Sequence, residues 1–343
     1  MKVLFNLKRL KLPQSFYRSH WYSTSWQQYF KGPIKDIIPK LPLSYQTRLL
    51  LWKQYERKRK NDIKDINITG YDINIDSNVI NIDVNESFIK IWQNLDNNIK
   101  NNISPSQQVL LCSLIDDNDN ETLLNMNENL KDYLINHNNI NIKELKFYAL
   151  DNKKENDQYQ AKQALWHSTS HILAQAIELY YADLIDSENK QLILGNGPAL
   201  KEDGFFYDVL LWDSKLKKNH TISLDKDIPS IIKIMKKIIQ QKQTFTKITL
   251  TYDEAKQLFY KNPYKLAIIE KYKDNSILTA YKCGYFIDLC RGPHIYNTKL
   301  IKVLDLYKLS SVVIENNDNI NDDNNNNIIS SIEDKENNTF SQM

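Results

Sequence analysis

Two histidines, His167 and His171, stand four residues apart, and more than a hundred residues later Cys290 and His294 repeat that interval. Imidazole is the side chain whose charge changes nearest neutral pH, and imidazole and thiolate are both zinc ligands. Four of the chain's nine His and Cys residues therefore fall in two short blocks, a clustering that coincidence explains poorly. Three chemistries suit the set. Two histidines at helical spacing with a Cys and a His complete a tetrahedral zinc site. Alternatively, the imidazoles and thiol orient a water and a substrate hydroxyl for attack on an ester, with His as the base. In the third case the residues persist by descent and only fill a pocket. The residue types alone do not choose among them.

The elements that must position these residues are legible around them. Ala161 to Asp183 has no internal Gly or Pro, and Leu165, Ile172, Leu173, Ala176, Ile177 and Tyr180 form an apolar stripe, which predicts a helix. On it, His167 and His171 project from one face. Tyr285 to Leu289 reads as an apolar strand that runs into the Gly292-Pro293 turn, so that Cys290 and His294 bracket the turn and can face the helical pair. Upstream, the alternation Ile80 to Val84 predicts a half-buried strand, Glu86 to Asn98 an amphipathic helix carrying Phe88, Ile91, Trp92 and Leu95, and Val109 to Leu114 and Leu145 to Leu150 two more strands. An Asn/Asp-rich insertion separates the last two. The order predicts a compact α+β unit.

With 343 residues, the chain suits two or three modules rather than one. No apolar run approaches the ~18 residues of a membrane span, so no membrane partner is expected. Three cysteines cannot make a disulfide framework, and their odd number points to a reducing compartment. Charge is uneven. Residues 1–60 carry 14 Lys or Arg against only Asp36 and Glu56, a net +12 that leaves −9 for the rest of a +3 chain. The first 35 residues hold no acid and mix cations with scattered apolar and Ser/Tyr/Trp residues, the composition of a mitochondrial targeting segment, and Lys8, Arg9 and Lys11 interrupt any secretory core. A basic helical extension follows over 36–65. Its Leu49, Trp52 and Tyr55 are spaced for one helix face, and Arg57, Lys58, Arg59 and Lys60 are candidates for RNA phosphate contact, although cations at a helix end also complement its dipole.

Three blocks carry a family resemblance: His167 to His171, Gly197-Pro198 with Glu202 to Asp208, and Asp288-Leu289-Cys290-Arg291-Gly292-Pro293-His294. In order and spacing they resemble the editing domain of threonyl-tRNA synthetase, and Arg291-Gly292-Pro293 favours that branch over the alanyl one. Tyr264-Lys265 resembles a segment in which the family uses a lysine at the editing site. Residues 66–150 resemble the family's small ubiquitin-like domain, and 158–312 its editing domain. The implied fold is α+β, a small β-grasp-like domain followed by an editing domain. The implied catalytic set is His167, His171, Lys265, Asp288, Cys290 and His294, with no metal or cofactor required. In that scheme His167 and His171 orient water, Cys290 and His294 hold the amino acid and ribose of a seryl ester, and Asp288 and Lys265 support them. Phe206 departs from the family's frequent tyrosine.

The sequence reaches Met343 through an Asn-rich acidic tail, 313–343, where the family would continue into its aminoacylation core, so the chain is not expected to aminoacylate alone. A targeting segment, a basic helix, a small domain and an editing-like domain together resemble the mitochondrial large-subunit ribosomal protein family numbered thirty-nine. The leading expectation is a structural, RNA-contacting protein of that subunit in the mitochondrial matrix, with ribosomal RNA and ribosomal proteins as partners. The alternatives are a hydrolase that removes serine from threonine tRNA, and a truncated mitochondrial threonyl-tRNA synthetase.

Overall fold

A computed structural model describes residues 4–5, 42–61, 69–137, 140–185, 190–201, 203–213, 215–216, 218–219, 222–273, 277–306 and 310–311. The expected targeting segment and acidic tail lie outside the described residues, except that strand β1 (Leu4–Phe5) pairs in parallel with Ser310–Ser311. No helix among the described residues is long and apolar enough to cross a membrane.

Helix α1 (Leu43–Asn61) has one apolar face, and Tyr45, Leu49, Trp52 and Tyr55 on it are all buried. Next come β2 (Gly70–Ile75) and β3 (Asn78–Asp83), a hairpin whose two turn residues, Asp76 and Ser77, both have positive φ, 48° and 65°. Such primed turns match the twist of the flanking strands. After α2 (Phe88–Asn94) and α3 (Asn97–Ile103), the chain forms β4 (Val109–Asp116), β5 (Glu121–Leu124), α4 (Leu130–Asn136) and β6 (Ile142–Ala149). The sheet runs β3-β2-β6-β4-β5, with β2 and β6 parallel, which is a β-grasp arrangement. One local expectation is corrected. The single helix over Glu86 to Asn98 breaks, because the Asp96 carboxylate accepts the Asn98 N–H at 2.7 Å and caps a second helix. The Asn/Asp-rich insertion contains β5 and α4, and its Leu124, Leu130 and Leu134 join the sheet's core.

The second unit opens with the long helix α5 (Glu155–Tyr180) and the short α6 (Ala182–Ile185). Strands β7 (Lys190–Leu194), β8 (Val209–Asp213) and β9 (Lys218–Asn219) form one antiparallel sheet. After α7 (Asp227–Gln240), a second antiparallel sheet is built from β10 (Phe245–Leu250), β11 (Leu278–Cys283) and β12 (Phe286–Leu289), with α8 (Tyr252–Leu258) and α9 (Pro263–Glu270) inserted after β10; β13 is the Ser310–Ser311 strand. Ile172, Leu173, Ala176 and Ile177 of α5 share one core with Leu194 and Leu211 of the first sheet, Phe245 and Phe286 of the second, and Ile231 and Met235 of α7. Helix α5 is therefore the spine that both sheets pack on, and it holds its histidines in a rigid place. On the other side of the second sheet, the apolar face of α1 shares a core with Ile248, Leu250, Ala255, Leu258, Leu278 and Ile287. Over Leu43–Asn61 the basic extension is thus a docked part of the fold.

Candidate functional site

The six residues implied for catalysis come from four elements. His167 and His171 lie on α5, Lys265 on α9, Asp288 on β12, and Cys290 and His294 in the loop after β12. The structure brings all six together. Cys290 Sγ lies 3.2 Å from His167 Nε2 and 3.3 Å from His294 Nε2, and it accepts the Gly292 N–H at 3.3 Å. The three imidazole centroids are mutually 4.3 to 5.1 Å apart. His171 Nε2 stands 3.8 Å from Asp288 Oδ2, and Lys265 Nζ pairs with Asp288 Oδ1 at 2.8 Å. His171, His294, Lys265 and Asp288 are buried, whereas His167 and Cys290 reach the surface in part.

Several residues that position this set were not singled out from the sequence. Ser168 Oγ donates to Ala164 O at 2.7 Å and accepts the Ile295 N–H at 3.0 Å, so its one proton is used. It also meets His294 Nδ1 at 3.0 Å, which places the imidazole proton on Nδ1 and leaves the Nε2 lone pair facing Cys290. Phe245 stacks on His294 at 4.7 Å and 10°. Asn125, on the small domain, accepts the His294 backbone N–H at 2.6 Å and donates to the Tyr281 hydroxyl at 3.0 Å. Tyr207 donates its hydroxyl to Asp288. Two glycines admit these aromatics. A Cβ on Gly292, whose φ is +74°, would lie 2.2 Å from the Tyr281 hydroxyl, and one on Gly197 would strike the Tyr207 ring at 2.2 Å. Ser168 and Tyr207 fall inside the quoted motif blocks; Asn125, 169 residues from its partner, has no local signal.

Electrostatics fix the resting state. Burial lowers His167 to about 4, with the Asp288 carboxylate and the Pro293 carbonyl pulling upward. Burial likewise lowers His171 to about 3 and His294 well below its usual value, and it raises the Cys290 thiol to about 12. Burial alone would raise the Asp288 carboxyl, but Lys265, His171 and Tyr207 together hold it below the usual carboxylate range. The site at neutral pH is thus three neutral imidazoles and a thiol around one lysine-carboxylate pair.

The donor set also fits zinc. The four ligand atoms of His167, His171, Cys290 and His294 lie within 4.8 Å of one another. Tetrahedral Zn–N and Zn–S bonds need ligand separations of about 3.3–3.8 Å, close to the two Cys–His distances. Binding would release the thiol proton, and the free Nε2 of His294 already faces inward.

The buried imidazoles make stability acid-sensitive. Unfolded histidines take up protons below about pH 6.5 that the fold refuses until near pH 4 or lower, so stability is full above 6.5 and is lost as pH falls towards 4. Each refused proton contributes about 1.4 kcal/mol per pH unit. Urea midpoints at pH 7.5, 6 and 5 are expected to fall steeply, and a flat profile would contradict the neutral-imidazole state.

The expected RNA contacts divide. Lys58 Nζ pairs with Glu254 of α8 at 3.0 Å, and Arg59 pairs with the same carboxylate and donates to Thr249 O of β10 at 3.0 Å, so both fasten α1 to its neighbours, Lys58 to α8 and Arg59 to α8 and the second sheet. Arg57 and Lys60 are exposed and have no ion pair among the described residues.

The family model for the threonyl and alanyl tRNA synthetase second additional domain matches residues 278–322, which include β11, β12 and the Cys290–His294 loop. Similar proteins include a threonine-tRNA ligase of Acholeplasma laidlawii, 40% identical over 144 residues, covering 42% of this chain and 20% of the ligase. Threonine-tRNA ligase 2, cytoplasmic, of Mus musculus is 34% identical over 161 residues, 47% of this chain and 18% of its own. A probable threonine-tRNA ligase 1, cytoplasmic, of Dictyostelium discoideum is 37% identical over 155 residues, 45% of this chain and 19% of its own. The chain carries a threonyl-tRNA ligase-like editing region. It spans about a fifth of the length of the ligases it matches. With the β-grasp sheet ahead of that region, the fold is α+β, a small β-grasp domain followed by an editing-type domain.

Proposed function

We propose that the chain is a structural, RNA-contacting protein of the mitochondrial large ribosomal subunit, built on a threonyl-tRNA ligase-like N-terminal region. The observation that carries this reading is the docked basic helix. Its apolar face is spent on the second sheet, Arg48, Lys58 and Arg59 fasten it, and Arg57 and Lys60 are left facing solvent on a rigid support. Fixed cations of this kind suit phosphate contacts, which position a protein on RNA without reading sequence. The acid-free sequence of residues 1–35 supports the mitochondrial address. Replacing Arg57 and Lys60 by Ala is expected to weaken association with the particle and to reduce the salt slope of RNA binding by roughly 1.5 while leaving thermal stability unchanged. Unaltered association would count against the reading. Lys58 and Arg59 are left in place because their removal would also loosen α1.

A second reading rests on the assembled site. A synthetic pocket rejects a smaller isostere poorly, and serine is threonine without a methyl group, so a second hydrolytic sieve has a task. The neutral imidazole of His167, partly exposed beside Cys290, is placed to accept a proton from water as its oxygen attacks the ester carbonyl. The bond from that carbonyl carbon to the ribose oxygen then breaks, and the proton passes to the ribose. Purified protein offered seryl-tRNA and threonyl-tRNA, with metal analysis of the same preparation, tests this. Release of serine that is lost in His171→Ala would establish the hydrolase and displace the structural role, whereas no release above background removes it.

A further inference from the structure

Beyond residue 60 the chain is net negative, yet residues 227–306 hold 14 Lys or Arg against seven acids, a net +7. Part of this charge converges on one place. A cavity of about 520 Å³ opens where the small domain meets the end of α7 and the Thr298–Leu300 turn, and its walls include Lys242, Lys299, Lys302, Tyr296, Gln107 and Gln240. All three lysines are exposed, and none has an ion-pair partner among the described residues. This contrasts with Lys247 and Lys256 nearby in sequence, which are paired with Glu128 and Glu270.

The cavity is held in shape by its neighbours. Asn297 donates its side-chain amide to Lys242 O at 2.7 Å and accepts the Lys299 N–H at 2.9 Å, so one side chain ties together the two loops that carry those lysines. Gln243 and Thr298 add two further bonds between the same loops, at 2.9 and 3.0 Å. From the small domain, Asn127 donates to Phe245 O and Tyr296 O. Lys242 itself has φ +53° in the turn that closes α7, a conformation that glycine or asparagine adopts with less strain. Lys299 Nζ lies over the Tyr296 ring, 5.5 Å from its centroid, which sets a cation against one face of a half-buried aromatic.

We propose that this cleft binds a single-stranded segment of RNA, with phosphates on Lys242, Lys299 and Lys302 and a base against Tyr296. Cations that track a backbone beside an aromatic face are the general means of holding single strands, and the glutamine amides supply donors and acceptors for base edges. A bare anion site would need neither the aromatic nor the amides. The proposal rests on the RNA-contacting reading and adds a surface separate from α1 and from the histidine site. An acidic polypeptide is the competing occupant.

The test uses the purified full chain, a fluorescein-labelled twelve-nucleotide oligouridine, and polyglutamate of equal charge as competitor. The variant Lys242→Ala/Lys299→Ala/Lys302→Ala is expected to weaken oligouridine binding at least tenfold and to flatten its salt slope by roughly 2, at unchanged thermal stability because the three side chains are exposed. Tyr296→Leu is expected to weaken binding severalfold with the salt slope kept. If the wild-type chain binds oligouridine and the triple variant binds equally well, the cleft is refuted while RNA contact through α1 stands. If polyglutamate competes as well as unlabelled oligouridine, the RNA assignment is overturned. If the wild-type chain binds neither this RNA nor structured ribosomal RNA, the cleft and the RNA-contacting reading fail together.

Discussion

Replacing Lys265 with methionine is expected to destabilise the protein by roughly 3–5 kcal/mol, the cost of leaving one charge of a buried pair without its partner. Lys265 and Asp288 are 2% and 4% exposed and bonded at 2.8 Å. Without the ammonium, the carboxylate keeps only the Tyr207 hydroxyl and the distant His171 imidazole, and burial then drives it towards the protonated form. The double variant Lys265→Met/Asp288→Asn should recover most of the loss, because the amide oxygen still accepts from Tyr207 and no charge is left behind. Urea unfolding of the single and double variants at pH 7.5 measures both. A loss below about 1 kcal/mol in Lys265→Met would mean that the pair is hydrated in solution and that the site is looser than described.

Arg48→Leu is the second large effect, and it links the extension to the site. The Arg48 guanidinium grips both oxygens of Glu178, at 2.9 and 3.0 Å, and lies 4.8 Å from the Tyr45 ring centroid. Glu178 is 2% exposed and sits on α5, two turns beyond His171. Removing the cation strands a buried carboxylate at a cost of roughly 3–5 kcal/mol unless α1 lifts away and lets water in. Either outcome is measurable. Global stability falls by that amount, or trypsin cuts the freed helix at Lys53 and Arg57 at least tenfold faster. Arg48→Leu/Glu178→Leu should reverse the effect, since two apolar groups of similar volume leave no charge unpaired. A protease-resistant and fully stable single variant would show that α1 docks through Trp52 and its apolar neighbours alone.

How much of this was legible in the sequence depends on the distance over which each feature is encoded. Helix α5 was readable because its apolar stripe and its lack of Gly and Pro are local, and the histidine spacing follows from it. The turn at Gly292-Pro293 was local too. Lys265 was reachable only through family resemblance, because nothing around Tyr264-Lys265 marks a lysine that will be buried against Asp288. Asn125 was invisible, since its bond to His294 joins residues 169 apart and two different domains. The Asn-rich insertion carries no local signal for β5 or α4, because Asn is a poor helix and strand former. Burial of Leu124, Leu130 and Leu134 overrides that local preference. Arg57 to Lys60 looked like one uniform basic run, but helical rotation turns Arg59 and Lys58 onto Glu254 and leaves Arg57 and Lys60 outward. Such a division follows only from knowing which face of α1 is docked.

Sedimentation of the tagged protein from lysed mitochondria tests the central claim most directly. The account predicts that it co-migrates with the large ribosomal subunit in a sucrose gradient and is released as salt rises, because phosphate contacts weaken with ionic strength. It also predicts that Arg57→Ala/Lys60→Ala is released at lower salt than the wild type. Protein that stays at the top of the gradient at every salt concentration, and that releases serine from seryl-tRNA in those fractions, would contradict the structural role and leave the hydrolase in its place.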